Sequence, residues 1–388
     1  MSSRKLWNEN AETMSRDEME AIRFENLKKQ LKHCYSNSKF YKDKFDAVGL
    51  QPEGLKTWEE FRKIPILMTK EEERVEQAET IENEGHPYGK HLCVSPEKII
   101  VAKTTSGTTG IPTFSASYTR SDIDRYNEAS ARSLWLRGLR PGDRILFCLP
   151  LTGALGCSGG LLVNTFAHIG VLSIDMGMES PLERIFQFAI LTKANALAAT
   201  PSFAETLIGK CKEIAGKEIK DLGFKKLLFS GEPGRAMPAI RNRIESAFGG
   251  KWHESVLVNG EGFSSSCNSD EFTDLHEVAP ELSICCEDLV DPVTKEPVEL
   301  QDGTIGEQVV TSVGREGIPY VKYASGDVVQ VFISKCDCGY PGPGYRKKIL
   351  GRAEDILRVG NVITFPMEIK NTINSFVPRL TGAMRIVL

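Results

Sequence analysis

The sequence lacks a strong net charge. Its 388 residues include 48 basic and 52 acidic side chains, which gives a formal charge of −4 and a pI near 6.0. Proteins that bind nucleic acid or an anionic membrane through charge carry an excess of one sign. The composition therefore gives no case for either kind of partner.

Long hydrophobic runs are also lacking. The most apolar stretch, residues 153–174, is interrupted by Gly159, Gly160, Asn164 and His168, so we interpret it as core and not as a membrane span. The first 20 residues have no apolar segment of the kind that a signal peptide needs. There is no internal repeat or low-complexity tract.

Cysteine is present but scattered. Five of the 10 cysteines lie within apolar segments: Cys34, Cys93, Cys148, Cys157 and Cys211. A chain of this size without a signal peptide fits the reducing cytoplasm, where such residues are small buried side chains.

An S-x-x-E capping box at Ser15 predicts a helix over 16–33, and most of 72–90 is expected to be loop.

The central part of the chain alternates between strand and helix patterns. Apolar runs at 144–149, 170–174, 196–200, 226–230 and 255–258 then predict buried strands, with amphipathic stretches between them. This alternation predicts an α/β fold with parallel strands flanked by helices. After about residue 280 the helices stop and a smaller β-rich unit is expected.

Three glycine-containing loops are candidate ligand sites. TTSGTTGIPT (104–113) has the small residues that let backbone N–H groups converge on an anion, but it lacks the lysine of the common phosphate loop. LFSGEPG (228–234) and VLVNGEG (256–262) follow predicted strands, where parallel sheets bind ligands. Each loop alone is equally consistent with an ordinary turn.

Four stretches in fixed order resemble the adenylate-forming superfamily, which contains acyl-CoA synthetases, peptide-synthetase adenylation domains and luciferases. They are TSGTTGIPT (105–113), SGEPG (230–234), YASGD (323–327) and GRAEDILRVGNVITFPMEI (351–369). SKFYKDKFDAVGL, KIPILMTKEE and the FPMEI ending resemble its phenylacetate-CoA ligase branch. The resemblance covers nearly the whole chain. It implies a large N-terminal adenylation domain over 1–350, with a β-rich part at about 280–350, and the start of a shortened C-terminal domain over 351–388.

The resemblance implies that ATP, with Mg²⁺, activates a carboxylate as an acyl-adenylate, which is then usually passed to a thiol such as CoA. Asp327 would bind the ribose hydroxyls, Arg352 would reach the ribose or phosphate, and Glu354 would lie at the interdomain hinge. The β- and γ-phosphates would be held by Ser106, Gly107, Thr108, Thr109 and Gly110, and adenine by Gly231, Glu232 and Pro233. The alternatives are a strand-ending turn for Asp327, a surface ion pair for Arg352 and an exposed helix-start carboxylate for Glu354.

The chain departs from the family pattern in three places. Ile111 replaces the lysine that usually follows the last glycine of the phosphate loop. Asn259, Gly260 and Glu261 stand where an aromatic-Gly-x-[Ser/Thr]-Glu motif is expected, which leaves Glu261 as the offset candidate for Mg²⁺. Only 36 residues follow Arg352 in this sequence, so the lysine that serves adenylation in the family would lie beyond its end, and the chain is either truncated or a naturally short member. In its length and in these three departures, the chain resembles the short adenylating protein of phenazine (griseoluteic acid) antibiotic biosynthesis.

A zinc site is also implied by the branch. Cys336 and Cys338 form a C-x-C-G pair, and Cys267 and His276 stand at the places of the other two ligands. Four protein ligands leave no open coordination position, so the zinc would be structural. Unmetallated buried cysteines are the alternative.

Two functions remain open from the sequence. The first is an atypical ligase that adenylates an aromatic acid and transfers it to CoA, a carrier protein or a reductase, with a homodimer as one possible assembly. The second is a catalytically degenerate or partner-dependent protein that binds nucleotide or aryl acid. Ile111, the offset Glu261 and the missing lysine favour the second, whereas the retained loop, Asp327 and Arg352 favour the first.

Overall fold

The computed structural model describes residues 5–104, 113–114, 117–150, 159–232, 234–258, 260–267, 269, 274–359, 362–376, 379 and 384. The helices in these residues are α1 (Glu9–Thr13), α2 (Arg16–Asn37), α3 (Lys39–Ala47), α4 (Trp58–Arg62), α5 (Lys70–Asn83), α6 (Arg120–Leu136), α7 (Gly159–His168), α8 (Leu182–Thr192), α9 (Pro201–Ala215), α10 (Pro238–Phe248) and α11 (Pro366–Asn374). Of these helices, none is both long and apolar enough to cross a membrane.

The strands form one large sheet and one small one. They are β1 (Met68–Thr69), β2 (Arg144–Phe147), β3 (Leu172–Asp175), β4 (Ala196–Ala199), β5 (Lys226–Phe229), β6 (Lys251–Val258), β7 (Glu261–Ser266), β8 (Leu275–Glu277), β9 (Ser283–Ile284), β10 (Leu289–Val290), β11 (Thr304–Ser312), β12 (Tyr323–Phe332), β13 (Arg346–Arg352), β14 (Leu357–Val359) and β15 (Val362–Thr364).

Helix α2 begins at the predicted capping box. Ser15 Oγ accepts the backbone N–H of Glu18, and the Glu18 carboxylate accepts the backbone N–H of Ser15. These reciprocal bonds satisfy two N–H groups that have no partner inside the helix. The predicted helix is confirmed, and it continues to Asn37, one turn beyond its expected end.

The predicted loop over most of 72–90 is wrong, because α5 runs to Asn83. A second capping box, formed by Thr69 and Glu72, starts this helix. Its buried positions are Glu73, Gln77 and Thr80. Because polar side chains occupy the inward face, the sequence has none of the apolar periodicity that identifies an amphipathic helix.

Strands β2 to β6 form the parallel half of the large sheet, in the order β6-β5-β4-β2-β3. Helices α8, α9 and α10 lie between successive strands in the chain, so the predicted α/β alternation is confirmed. Leu197, Leu227 and Phe229 pack with Leu207 and Ile244 of these helices in a buried cluster. The loops after β5 and β6 therefore emerge at one edge of the sheet, where parallel sheets bind ligands.

Strand β6 also pairs antiparallel with β7, and the sheet continues as β7-β8-β13-β12-β11-β10. The predicted β-rich region is confirmed, but it is continuous with the parallel half and begins at β7 instead of near residue 280. After β13, strands β14 and β15 form the separate small sheet. Helix α11 follows them, so the expectation that helices stop after about residue 280 is wrong for this segment. The domain limits at 350 and 351 remain a prediction.

Cysteine burial agrees with the sequence. The described members of the apolar-segment group, Cys34, Cys93, Cys148 and Cys211, are all buried and free of disulfides. Cys157 lies outside the described residues.

Candidate active site

A cavity of about 570 Å³ lies beside the carboxyl ends of β5 and β6. Its wall comes from both halves of the sheet, from α6, α7 and α11, and from the segment that precedes α10. Apolar members include Leu162, Met237, Val256, Leu257, Phe263 and Leu275. Polar and charged members include Ser130, Ser133, Arg137, Glu232, Glu254, Asp327, Lys348, Arg352 and Lys370. A mostly apolar hollow with a few convergent charges is typical of a small-molecule site.

The loop after β5 lines this cavity, as the sequence predicted for a ligand loop. Gly231 has a φ of +89°, a conformation that few other residues adopt without strain. Glu232 accepts hydrogen bonds from the backbone N–H of Ser202 (3.0 Å) and from its hydroxyl (2.7 Å). Glu232 therefore ties the loop to the start of α9. A Cβ at Gly234 would lie 2.7 Å from the Trp252 ring, so the loop packs closely on β6.

Asp327 and Arg352 lie opposite each other on β12 and β13. Arg352 Nη1 donates to Asp327 Oδ1 at 2.7 Å and to the Ser325 carbonyl at 3.0 Å. Burial opposes the charge of Arg352, yet the Asp327 carboxylate holds the pKa of Arg352 above its ordinary value. Gly326, at a φ of +76°, leaves room for the guanidinium, because a Cβ there would lie 2.6 Å from Nη2. The structure thus brings two predicted site residues together on the cavity wall.

Glu354 lies near this pair but is mostly exposed. Its Oε1 is 3.8 Å from Arg352 Nε, and its side chain is 64 % exposed. Lys70, at the start of α5, interacts electrostatically with Arg352 and Glu354. Burial and then the charge of Arg352 lower the pKa of Lys70. Sequence reasoning did not single out Lys70, although KIPILMTKEE contains it, because one lysine at a helix start carries no distinctive pattern.

Glu261 does not lie where its predicted role requires. Neither Gly260 nor Glu261 is among the described residues that line the cavity. The Glu261 carboxylate is fully buried, with Arg125 Nη2 at 2.5 Å from Oε2 and Arg315 Nη1 at 3.4 Å from Oε1. Two guanidinium groups already neutralise this carboxylate. The assignment of Glu261 to Mg²⁺ therefore stays a prediction, and its two arginine partners argue against it.

Several cavity residues were missed by sequence reasoning. Lys348 and Lys370 bring two cations to the wall from β13 and α11, and Arg137 brings a third from the end of α6. Burial raises the pKa of Glu254 to about 7. Isolated charged residues of this kind read as ordinary surface residues in a sequence. The predicted residues Ser106, Gly107, Thr108, Thr109, Gly110, Ile111, Pro233 and Asn259 lie outside the described part of the chain.

The four predicted zinc ligands come together in space. The sulfur atoms of Cys267, Cys336 and Cys338 and a ring nitrogen of His276 lie within 4.8 Å of one another. Cys267 follows β7, His276 is the middle residue of β8, and the two other cysteines lie between β12 and β13. Because β8 pairs with both β7 and β13, the sheet itself assembles residues that are far apart in sequence.

The donor set fits a tetrahedral zinc ion. Cys267 Sγ and Cys336 Sγ are 3.8 Å apart, and Cys338 Sγ is 3.5 Å from His276 Nε2. Two thiolates at about 2.3 Å from zinc on a tetrahedron are roughly 3.8 Å apart. Backbone N–H groups of Ser269 and Tyr340 point at two of the sulfurs, each at 3.4 Å. Burial lowers the pKa of His276 to about 4, which keeps the imidazole in the neutral form that binds metal.

Comparison with known proteins bears on the class of protein. No protein-family model matches the chain. The phenylacetate-coenzyme A ligase of Thermus thermophilus is 28% identical over 396 residues, covering 97% of this chain and 80% of that protein. The phenylacetate-coenzyme A ligase of Escherichia coli is 28% identical over 380 residues, covering 94% and 78%. A 2-hydroxyisobutyryl-CoA ligase, solved in an open conformation with 2-HIB-AMP and CoA, superposes with a TM-score of 0.84 at 25% identity, covering 100% of this chain and 87% of that one.

The fold matches that of adenylate-forming ligase structures. Along nearly its whole length the chain is similar to phenylacetate-CoA ligases, as its sequence motifs predicted.

Proposed function

We propose that this protein activates an aromatic carboxylic acid with ATP as an acyl-adenylate and then transfers the acyl group to CoA. The observation that carries the proposal is the cavity wall on which Asp327 and Arg352 lie near the loop of Gly231 and Glu232. This wall belongs to a fold shared with a CoA ligase solved with an acyl-AMP. The aromatic class rests on the phenylacetate ligases among the relatives.

Asp327 is suited to bind the ribose. Only one of its oxygens is taken, by Arg352, and the second has no hydrogen-bond partner among the described residues. An ionised carboxylate accepts with both oxygens, so it can receive both ribose hydroxyls while Arg352 fixes its orientation. The pair therefore positions the nucleotide without being consumed in the reaction.

The surrounding cations suit the chemical step. The acid's carboxylate oxygen forms a bond to the α-phosphorus of ATP, and the bond to pyrophosphate breaks. Both reactants are anions, so positive side chains lower the electrostatic barrier to their approach. Lys348, Lys370 and Arg352 line the cavity, and Lys70 adjoins Arg352. Mg²⁺ supplies further positive charge in reactions of this type, whereas the Glu261 carboxylate is enclosed by two arginines.

We further propose that Cys267, His276, Cys336 and Cys338 hold a structural zinc ion. Its ligands would join β7, β8 and the segment before β13, next to the cavity residue Leu275. The donor set and spacing described above support this assignment. Four protein donors leave no position for substrate, so the ion would stabilise the fold and take no part in the reaction.

The biological setting is proposed from the scattered cysteines and from the departures from the family pattern described above. We place the reaction in the cytoplasm, in aromatic acid or phenazine-antibiotic metabolism, with the protein as a homodimer. CoA is the proposed acyl acceptor, and a carrier protein or a reductase is the alternative acceptor. Size-exclusion chromatography with light scattering tests the dimer, and thioester detection after addition of each acceptor tests the second step.

The experiment that tests the activity is ATP–pyrophosphate exchange in the presence of Mg²⁺. The panel is benzoate, phenylacetate, anthranilate and phenazine carboxylates. We expect exchange that depends on one acid, which would establish adenylation and name the substrate class. Absence of both exchange and ATP binding would contradict the phosphate-loop assignment at residues 105–113.

A second candidate is a degenerate or partner-dependent protein that binds nucleotide or aryl acid. The observation that favours it is Glu261, whose carboxylate is committed to Arg125 and Arg315 and does not face the cavity. Measurable ATP binding by calorimetry without any exchange would support this candidate over the ligase.

A further inference from the structure

Arg137 is a buried cation on the cavity wall. It caps the carboxyl-terminal end of α6, and only 4% of the residue is exposed. Its Nε donates to the Ser133 carbonyl at 3.3 Å. Its two Nη groups have no hydrogen-bond partner among the described residues. Four N–H donors are thus left for something else in the cavity.

Most buried arginines of this chain are neutralised by carboxylates. Arg23 pairs with Glu287, Arg132 with Glu128 and Glu281, Arg315 with Glu261, and Arg346 with Asp274. Among the described residues, Arg137 has no such pair. Burial accordingly lowers the pKa of Arg137 to about 10. A guanidinium still carries its charge at neutral pH, and a buried charge without a partner is costly.

The surroundings of Arg137 form a polar niche in an apolar wall. Ser130 and Ser133 line the cavity from the same face of α6, and the apolar residues Leu162 and Phe263 line the same cavity. Nearby His253 is neutral, because burial and then the charge of Arg137 lower its pKa to about 3. The niche therefore offers one uncompensated cation and two hydroxyls, which is the chemistry that binds an anionic oxygen group.

This niche is distinct from the wall that holds Asp327 and Arg352. Arg352 interacts electrostatically with Asp327, Glu354, Tyr323 and Lys70. Arg137 interacts with Tyr126 and His253 instead, and α6 packs against α7 and β7. Strand β7 is separated from β13 by β8. The two guanidinium groups thus reach one cavity from different elements, the end of α6 and strand β13.

We propose that Arg137 binds a second acidic group of the acyl substrate, a carboxylate or a phenolate, at a position remote from the carboxylate that is adenylated. The inference rests on the proposed function, because that function puts the acyl group in this cavity. A guanidinium binds a carboxylate with two parallel hydrogen bonds, so Arg137 would select both the charge and the orientation of the aromatic ring.

The test compares matched acids on wild-type protein and on Arg137→Met. The acids are a naphthoate, the naphthalenedicarboxylates that carry a second carboxylate at different ring positions, and the analogues in which a carbamoyl group replaces that second carboxylate. Each acid is titrated by calorimetry and assayed separately by ATP–pyrophosphate exchange. Arg120→Met is the control, since Arg120 is an exposed arginine at the first position of the same helix.

We expect wild-type protein and Arg120→Met to bind at least one dicarboxylate about 10- to 100-fold more tightly than its carbamoyl analogue. Arg137→Met should lose that preference and bind the plain naphthoate as the wild type does, while Arg137→Lys should recover part of it. Because the methionine removes an unpaired buried charge, Arg137→Met should remain folded in a thermal melt. If Arg137→Met unfolds, the wild type is compared with Arg137→Lys instead. A wild-type preference for a dicarboxylate that the lysine only partly keeps supports the inference, and an unchanged preference contradicts it.

Two results would overturn the inference. One is a wild-type protein that binds dicarboxylates no more tightly than their carbamoyl analogues. The other is an Arg137→Met variant that loses affinity for every acid equally, because Arg137 would then hold the reacting carboxylate. A preference in binding without any exchange would refute the proposed ligase activity and leave the anion site standing. Exchange without a preference for the dicarboxylate would support the ligase activity and refute the anion site.

Discussion

Two carboxylate–arginine groups in the same sheet have opposite characters. Asp327 on β12 pairs with one arginine at the cavity wall, and both side chains keep some exposure, 21% and 32%. Glu261 on β7 is fully buried, and each of its oxygens is taken by a different arginine. Asp327 keeps one carboxylate oxygen that can accept from a ligand, whereas both oxygens of Glu261 already bind arginines of the fold. Residue type alone does not separate a binding carboxylate from a structural one; the number of its partners does.

The largest effect is expected from Glu261→Gln. The variant leaves Arg125 and Arg315 buried without a counter-charge, so the free energy of unfolding should fall by about 3–5 kcal/mol. Urea denaturation measures the change, with Glu183→Gln, an exposed site on α8, as the control. If the variant unfolds like the wild type and only loses Mg²⁺-dependent exchange, Glu261 is a metal ligand after all.

Asp327→Asn should act on activity and hardly on stability. Loss of charged hydrogen bonds to the ribose should reduce kcat/KM for ATP about 100-fold in the exchange assay. The free energy of unfolding should change by no more than about 1 kcal/mol, because the ion pair is partly exposed. Asp124→Asn, on an exposed position of α6, is the matched control. An unchanged kcat/KM for ATP would remove Asp327 from the nucleotide site.

Metal removal should have an intermediate effect. We expect about one zinc per chain by elemental analysis, and Cys338→Ala should lose it with a drop in the free energy of unfolding of roughly 2 kcal/mol or more. Cys211→Ala, which removes a buried thiol outside the cluster, should keep the metal. Equal zinc content in the two variants would mean that these four side chains do not bind it.

The smallest effect is a dependence of stability on pH at Glu277. Burial, followed by the neighbouring Glu287, raises the pKa of Glu277 to about 7 from an ordinary 4.5. The folded protein therefore keeps this proton between about pH 4.5 and 7, where the unfolded chain releases it, and stability falls as the pH rises through that window. Glu277→Gln should reduce the fall by on the order of 1 kcal/mol.

Urea midpoints at pH 5 and pH 7.5 measure this difference between wild type and Glu277→Gln. Glu73 and Glu254, whose pKa values burial also raises to about 7, are present in both proteins and cancel in the comparison. Identical pH dependence in the two proteins would show that Glu277 is ionised in the fold.

Much of the fold could be predicted from local sequence patterns. Alternating apolar runs and amphipathic stretches gave the parallel half, and the capping box at Ser15 gave the start of α2. Helix α5 was missed because its inward positions are Glu73, Gln77 and Thr80, which carry no apolar signal. The continuity of the sheet across β6 and β7 was also missed, since strand pairing depends on contacts that periodicity does not encode.

The site divides in the same way. Asp327, Arg352 and the cysteine–histidine cluster were found through family motifs, and the structure brings each group together. Arg137 and Lys70 were not found, because a single basic residue in a sequence looks like any surface cation until burial is known. The same applies to Glu261, whose partners Arg125 and Arg315 are 136 and 54 residues away in the chain.

Strand β8 is only three residues long, and each residue contributes to a different feature of the structure. Leu275 lines the cavity, His276 belongs to the cysteine–histidine cluster, and Glu277 is the buried acid. A displacement of any one is passed to the other two through a single short backbone. If the cluster holds zinc, we therefore expect metal depletion to alter the preference among acids before it unfolds the chain. The choice of substrate would then depend on the supply of zinc.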